Sequence, residues 1–174
     1  MEAIKKYIRS VPDFPKAGIN FYDITTLFQN PEGFTMALDA MEKYIKSKKP
    51  TKLVCIEARG FVFGAALSDR LKLGFIPARK PGKLPYKTIS EEYELEYGTD
   101  RLEIHMDAIE KGDKVVIVDD LLATGGTMLA VCKLVEQLGG EVVGISTVIG
   151  LNFLPYQDQL AGYDINYLIS YDSE

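Results

Sequence analysis

Apolar side chains along this chain follow two rhythms, and each predicts a different element. Helical spacing, with apolar positions three and four apart, runs through Ile4, Tyr7 and Ile8, through Phe34, Leu38, Met41 and Ile45, and through Met128, Val131, Leu134, Val135 and Leu138. The first predicts a helix over residues 1–10, ended by Val11-Pro-Asp-Phe-Pro15. The second closes at Lys48-Lys-Pro-Thr51. Another helix is expected over 61–71, and a short one over 23–28 with Asp23 near its cap. Unbroken apolar runs read as strands buried on both faces. They cover Leu53–Ile56, Phe75–Ala78 and Val115–Val118, and two further strands are read at Glu141–Ile149 and Tyr163–Ile169. Arg101–Met106 alternates polar and apolar, as a half-buried strand does. Strand and helix patterns alternate from residue 34 to 149, which predicts right-handed βαβ units. The expected fold class is α/β, with a central, mostly parallel twisted sheet flanked by helices.

Residues 79–100 break this pattern. Arg79-Lys-Pro-Gly-Lys-Leu-Pro85 is basic and carries two prolines, and Ser90–Tyr97 is acidic and rich in Tyr. The stretch is too polar for the core and long for a connection. It reads as a flexible flap of two short strands.

Composition narrows the picture. A length of 174 residues favours one domain, 1–174, able to bury a core without disulfides. A net charge of -5 gives no electrostatic footprint for nucleic acid. Two cysteines in apolar surroundings and one histidine exclude a disulfide framework and a zinc cluster of ordinary spacing. Met1-Glu-Ala-Ile-Lys-Lys6 lacks the apolar centre of a signal peptide, and no run approaches a membrane span. A cytoplasmic protein with no membrane partner is expected.

The chemistry concentrates at Val115-Val-Ile-Val-Asp-Asp-Leu-Leu-Ala-Thr-Gly-Gly-Thr127. A buried strand ends in two carboxylates, Asp119 and Asp120, and a Thr-Gly-Gly-Thr loop then opens a helix. In open α/β sheets ligands bind beyond the carboxyl ends of the strands. A glycine turn entering a helix offers free N–H groups to a phosphate. Carboxylates repel phosphate, so their partners are hydroxyls or a phosphate-bound cation. A phosphorylated sugar meets both demands. A second junction, Glu57-Ala-Arg-Gly60, lets backbone approach an anion that Arg59 can grip with two bonds. Alone, it reads equally well as a solvated first helical turn. Arg79, Lys80 and Lys83 group three cations that a solvated loop would also explain. His105, between Ile104 and Met106 on a strand's polar face, receives no role.

The 119–127 segment resembles the phosphoribosyl pyrophosphate signature of the type I phosphoribosyltransferases, in the form of their adenine-specific members. Four other segments resemble the same enzymes in the same order. These are Val11-Pro-Asp-Phe-Pro15 with Gly18 and Asp23-Ile24, Glu57-Ala-Arg-Gly-Phe61, Arg79–Pro85, and Leu95-Glu-Tyr-Gly98. The resemblance implies an N-terminal hood over about residues 1–33 and a flap over about 79–100. It implies transfer of a phosphoribosyl group to adenine, giving AMP and pyrophosphate, with Mg²⁺ held through substrate oxygens, in a homodimer. By resemblance, Asp119 and Asp120 bind the ribose hydroxyls, and Ala123, Thr124, Gly125, Gly126 and Thr127 wrap the 5-phosphate. Glu57, Ala58, Arg59 and Gly60, with Arg79, Lys80 and Lys83, take the pyrophosphate. Arg59 and Glu96 are the expected catalytic groups, and Tyr97 belongs to the flap. Asn20, Phe21 and Tyr22 form the adenine pocket, Phe21 by stacking and its neighbours through backbone groups. Tyr22 stands where the family often has Arg. Two rival readings share the fold: a transferase for another purine, such as xanthine or guanine, and a non-catalytic nucleotide-sensing regulator.

Overall fold

A computed structural model describes residues 2–94 and 98–173. The chain opens with a 3-10 helix at Glu2–Tyr7, followed by β1 (Arg9–Pro12), β2 (Asn20–Asp23), α1 (Thr25–Phe28) and α2 (Pro31–Lys48). The βα succession comes next: β3 (Lys52–Ile56), α3 (Gly60–Leu71) and β4 (Gly74–Ala78). After β5 (Thr88–Glu94) and β6 (Thr99–His105) come β7 (Lys114–Val118), β8 (Leu121–Leu122) and α4 (Gly126–Gln137). The chain closes with β9 (Glu141–Leu151), α5 (Tyr156–Gln159) and β10 (Ile165–Tyr171).

The main sheet has the order β10-β9-β7-β3-β4, every neighbouring pair parallel, with the short β8 also pairing β9. Successive strand residues point to opposite faces, and both faces are covered. Leu53 and Cys55 of β3 pack with Met41 and Ile45 of α2 and with Phe63 and Leu67 of α3. Val54 and Ile56 pack with Val131 and Val135 of α4. Each such side chain taken from water contributes about 1.5–3 kcal/mol. That explains why these strands read as unbroken apolar runs.

Local signals set the helix ends. Asn30 caps α2 by accepting the Gly33 N–H at 2.8 Å, Pro31 opens the first turn, and Lys49 ends the helix at φ 50°. Asp23 accepts the Thr25 N–H at 2.9 Å and its hydroxyl at 2.6 Å, as expected of a residue near the start of α1. Those bonds, with one from Arg9, pull its pKa down to about 2. Two glycines of α3 are demanded by packing. A Cβ at Gly64 would lie 2.2 Å from Cys55 Sγ, and one at Gly60 would lie 2.8 Å from Asp119 Oδ1. The first turn of α3 is therefore seated directly against the end of β7.

Three expectations need correction. The N-terminal helix is a six-residue 3-10 turn, and Val11 and Pro12 belong to β1, paired antiparallel with β2. Helical spacing over so few residues does not separate the two helix types. The flap strands do not both lie within 79–100. β5 pairs with β6, so the alternating strand expected at 101–106 is itself the second arm. Nor is the stretch wholly outside the core. Ile89 and Tyr93 pack on the cluster that buries Leu102 and Ile104, and Lys133 of α4 holds Glu91 of β5 at 3.1 Å. His105, given no role above, is half-buried beside Tyr86.

Candidate active site

β3 and β7 are adjacent and parallel, with Cys55 opposite Val118, so the segments leaving their carboxyl ends emerge side by side. Between them opens a cavity of about 480 Å³. Its lining includes Glu57, Ala58 and Arg59 after β3, and Asp119, Asp120, Leu121, Leu122, Ala123, Thr124, Gly125, Thr127 and Met128 after β7. Lys80, Tyr93, Asp100 and Leu102 complete the wall from the β4 end and the β5–β6 ribbon.

The turn after β7 is shaped by β9. Asp119 donates its N–H to the Ser146 carbonyl, and the Asp120 carbonyl accepts from Val148 and Ile149 at 3.1 and 3.0 Å. Leu121 and Leu122 then pair with β9, which frees residues 123–125 to curve over the cavity. Gly125 sits at φ 91°, a conformation that suits glycine, and starts α4 without a side-chain cap. The first-turn N–H groups of a helix have no acceptor within it and mark its positive end. Here that end adjoins the cavity. Gly126 lies behind the wall: a Cβ there would come 3.1 Å from the Glu94 carbonyl.

Both cations of the cavity lining among the described residues are paired with carboxylates. Arg59 Nε donates to Asp120 Oδ2 at 2.6 Å, and Asp120 is buried. Asp119 accepts the Asp120 N–H at 2.9 Å. Burial, and then the neighbouring charge of Asp120, push the Asp119 carboxyl well above the usual carboxylate range. Glu57 shows the opposite balance. Burial raises its pKa, but the Lys80 N–H and Arg79 Nε, both at 2.7 Å, prevail and hold it below the ordinary value. Lys80 Nζ pairs with Asp100, which also accepts the Tyr93 hydroxyl at 3.3 Å.

The remaining candidates lie around this wall. Gly60 packs beneath Asp119. Arg79 turns to Glu57 and, through Nη1, to the Lys83 carbonyl at 3.3 Å; the Lys83 residue is exposed, and neither side chain lines the cavity. Phe21 reaches the site through Arg59, whose guanidinium lies 5.7 Å from the ring centre. The Tyr22 side chain points the other way, buried and stacked on Tyr171 at 3.6 Å, while Asn20 accepts the Ser10 hydroxyl at 2.6 Å. Glu96 and Tyr97 lie outside the described residues. Tyr93, Asp100 and Leu102 were not among the sequence candidates. Their only signal was the period-two alternation of a ribbon whose pairing partner was not evident.

A family model described as "Phosphoribosyl transferase domain" matches residues 23–164. The adenine phosphoribosyltransferase of Acetivibrio thermocellus is 56% identical over 169 residues, 97% of this chain and 99% of that protein. The chain belongs to the adenine phosphoribosyltransferase family. The solved adenine phosphoribosyltransferase of Thermoanaerobacter pseudethanolicus superposes with a TM-score of 0.94 at 54% identity, covering 98% of this chain and 99% of that one. The Saccharomyces cerevisiae enzyme, crystallised with an imino-altritol bisphosphate and adenine, gives 0.92 at 38% identity, with 97% of each chain covered. In this adenine phosphoribosyltransferase fold, the segments at 57–61, 79–85 and 118–127 all bring residues to one cavity, and the 11–24 segment reaches it through the Phe21–Arg59 contact.

Proposed function

We propose that this chain transfers the 5-phosphoribosyl group of phosphoribosyl pyrophosphate to N9 of adenine, releasing pyrophosphate and making AMP, a purine-salvage reaction. One observation carries the reading beyond family membership. Two adjacent carboxylates and an uncapped helix N-terminus meet in one cavity, opposite an arginine loop. No single small ligand suits that set better than a sugar bearing a phosphate at one end and a diphosphate at the other.

Asp119 and Asp120 accept the ribose 2- and 3-hydroxyls. Ala123 to Thr127 meet the 5-phosphate with backbone N–H groups and the Thr124 and Thr127 hydroxyls. Arg59 uses Nε toward Asp120, so its terminal nitrogens remain for the pyrophosphate. Ala58, Gly60 and Lys80 complete that end, while Glu57 and Arg79 brace the loop. Lys83, exposed, is the remaining pyrophosphate candidate, and a basic residue of this loop can reach a partner subunit's site. Phe21 stacks on adenine, and the Asn20 and Tyr22 backbone reads its edge. Glu96 assists loss of the N9 proton or stabilises the oxocarbenium-like ribose, proton transfer of this kind adding roughly 10²–10⁴-fold. Residues about 1–33 serve as the hood and the stretch from about 79 through the β5–β6 ribbon as the flap, with Tyr97 in it, closing water out during transfer.

Mg²⁺ fits this donor set as a companion of the substrate. Among the described residues no three His, Cys, Asp or Glu side chains converge on a point, and Asp120 is already paired. Mg²⁺ would therefore be held mainly through oxygens of the substrate, with no dedicated cage of protein side chains. When bound it offsets charge on the departing pyrophosphate.

A homodimer is supported by Val62 of α3 and Phe75 of the edge strand β4, both exposed apolar side chains on one flank of the sheet. A cytoplasmic setting is supported by two free, buried cysteines.

Turnover with adenine, hypoxanthine, guanine and xanthine, each with the same donor, tests the reading. Adenine is the expected substrate, and preference for an oxopurine would overturn it. A glutamine in place of Glu96 should lower kcat more than it changes either KM.

A further inference from the structure

Lys80 leaves the end of β4 and carries its ammonium to the cavity wall, where Asp100 meets it. Asp100 is itself anchored. Its Oδ1 accepts the Arg101 N–H at 2.8 Å, and its Oδ2 accepts the Tyr93 hydroxyl at 3.3 Å. Tyr93 and Asp100 are directly opposed in the β5–β6 register, so both side chains leave the ribbon on one face. The Lys80 side chain is 48% exposed and that of Asp100 only 21%. The lysine is thus the partner able to move: a point charge with three donors on a flexible stem.

A carboxylate in a cavity that accepts a polyanion has the wrong sign for binding. Its charge opposes the ligand across a partly enclosed cleft, where water screens less than in bulk. It also occupies an ammonium that a phosphate would otherwise hold. The same arrangement recurs across the cavity, where Arg59 is held by Asp120. Among the described residues, both cations of the lining are therefore already partnered by carboxylates of the same wall.

We propose that Asp100 is a positioning residue that sets the affinity for the diphosphate: it is the resting partner of Lys80, gives the ammonium up when the diphosphate binds, and takes it back when pyrophosphate leaves. This rests on the reading of the cavity as the phosphoribosyl pyrophosphate site. The exchange keeps Lys80 aimed at the cavity while tempering the grip on a highly charged product.

The test is calorimetric titration of the full chain with phosphoribosyl pyrophosphate and Mg²⁺, without adenine, and separately with ribose 5-phosphate, which lacks the diphosphate. Asp100→Asn should bind phosphoribosyl pyrophosphate about fivefold more tightly, the size of one partly screened ion pair. Its affinity for ribose 5-phosphate should stay within twofold of wild type. Pyrophosphate should become a correspondingly stronger product inhibitor. Asp100→Glu, which keeps the charge, should behave as wild type. Thermal unfolding verifies that each variant is folded, and Asp100→Ser removes the same charge if the Asn variant is not. Unchanged or weaker diphosphate binding in the folded, charge-removed variant overturns the proposal, as does an equal gain for ribose 5-phosphate. If the wild type binds neither ligand, the reading of the cavity fails first and the inference falls with it.

Discussion

The cavity has two walls built by different physics. One is the carboxyl end of the parallel sheet, where Asp119 and Asp120 follow a strand buried on both faces and the amides of residues 123–127 follow from helix geometry. Its groups are held by backbone that cannot shift without disturbing the core. The other is the β5–β6 ribbon with Lys80, where the working groups are side chains on a half-exposed antiparallel pair, held by ion pairs. On the reading proposed above, the β7 side of the first wall takes the parts of the ligand that stay the same through the reaction, the ribose and its 5-phosphate. On that reading the second, together with Arg59 from the β3 end, takes the diphosphate, which must be gripped and then released.

Breaking the rigid wall should have the largest effect. On the proposed reading, Asp120→Ala removes an acceptor of substrate hydroxyls, and it leaves Arg59 without its partner. Bonds to charged groups are worth about 1.5–3 kcal/mol each. Steady-state kinetics should therefore show kcat/KM for phosphoribosyl pyrophosphate down by roughly 10²-fold or more, and a variant within a few-fold of wild type would remove Asp120 from the site. Gly64→Ala attacks the support beneath that wall. The added methyl would overlap Cys55 Sγ, and α3 would have to lift from β3. Overpacking of this kind costs about 1–3 kcal/mol, a drop in Tm of roughly 2–12 °C for a chain this size. No change in Tm would show that α3 can move freely.

A third variant separates stability from function in the same wall. The Asp119 carboxyl is raised above its ordinary pKa, chiefly by burial and then by Asp120. The folded chain thus holds this proton more tightly than the unfolded chain. The stabilisation is complete below the unfolded pKa and is lost as pH rises through the folded one. Asp119→Asn should remove that penalty. The variant's Tm near neutral pH should exceed the wild type's while turnover collapses. A lower Tm at neutral pH would contradict this account. The smallest effect belongs to the ribbon's outer tie. Lys133→Ala breaks a half-exposed pair with Glu91, worth about 0.2–1 kcal/mol, and this effect should fade in high salt. KM for phosphoribosyl pyrophosphate should change less than about threefold, and a larger change would mean that the ribbon's seating on α4 limits binding.

The first wall could be read in the sequence because its rules are local. A run such as Val115–Val118 is apolar throughout only when both faces are covered, and two aspartates followed by Thr-Gly-Gly-Thr mark the strand end and the helix start. The second wall could not be read that way. Nothing near Asp100 in the chain indicates that Lys80, twenty residues earlier, will meet it. The polar composition of 79–100 also concealed the apolar face that Ile89 and Tyr93 share with Leu102. Tyr22 shows the converse. Next to Phe21 in a strand it must face the other way, and whether that side is ligand or core depends on Tyr171, far away in the chain.

By itself the sequence determined the βα alternation, the buried strands, the acidic pair and the phosphate-ready helix start, since each follows from periodicity, capping and backbone geometry within a dozen residues. Only the tertiary structure decided that β3 and β7 lie side by side, that Arg59 rests on Asp120 and Lys80 on Asp100, and that the β5–β6 ribbon closes the cavity. Those outcomes depend on strand order and on charges meeting across large sequence separations. No local pattern carries that information.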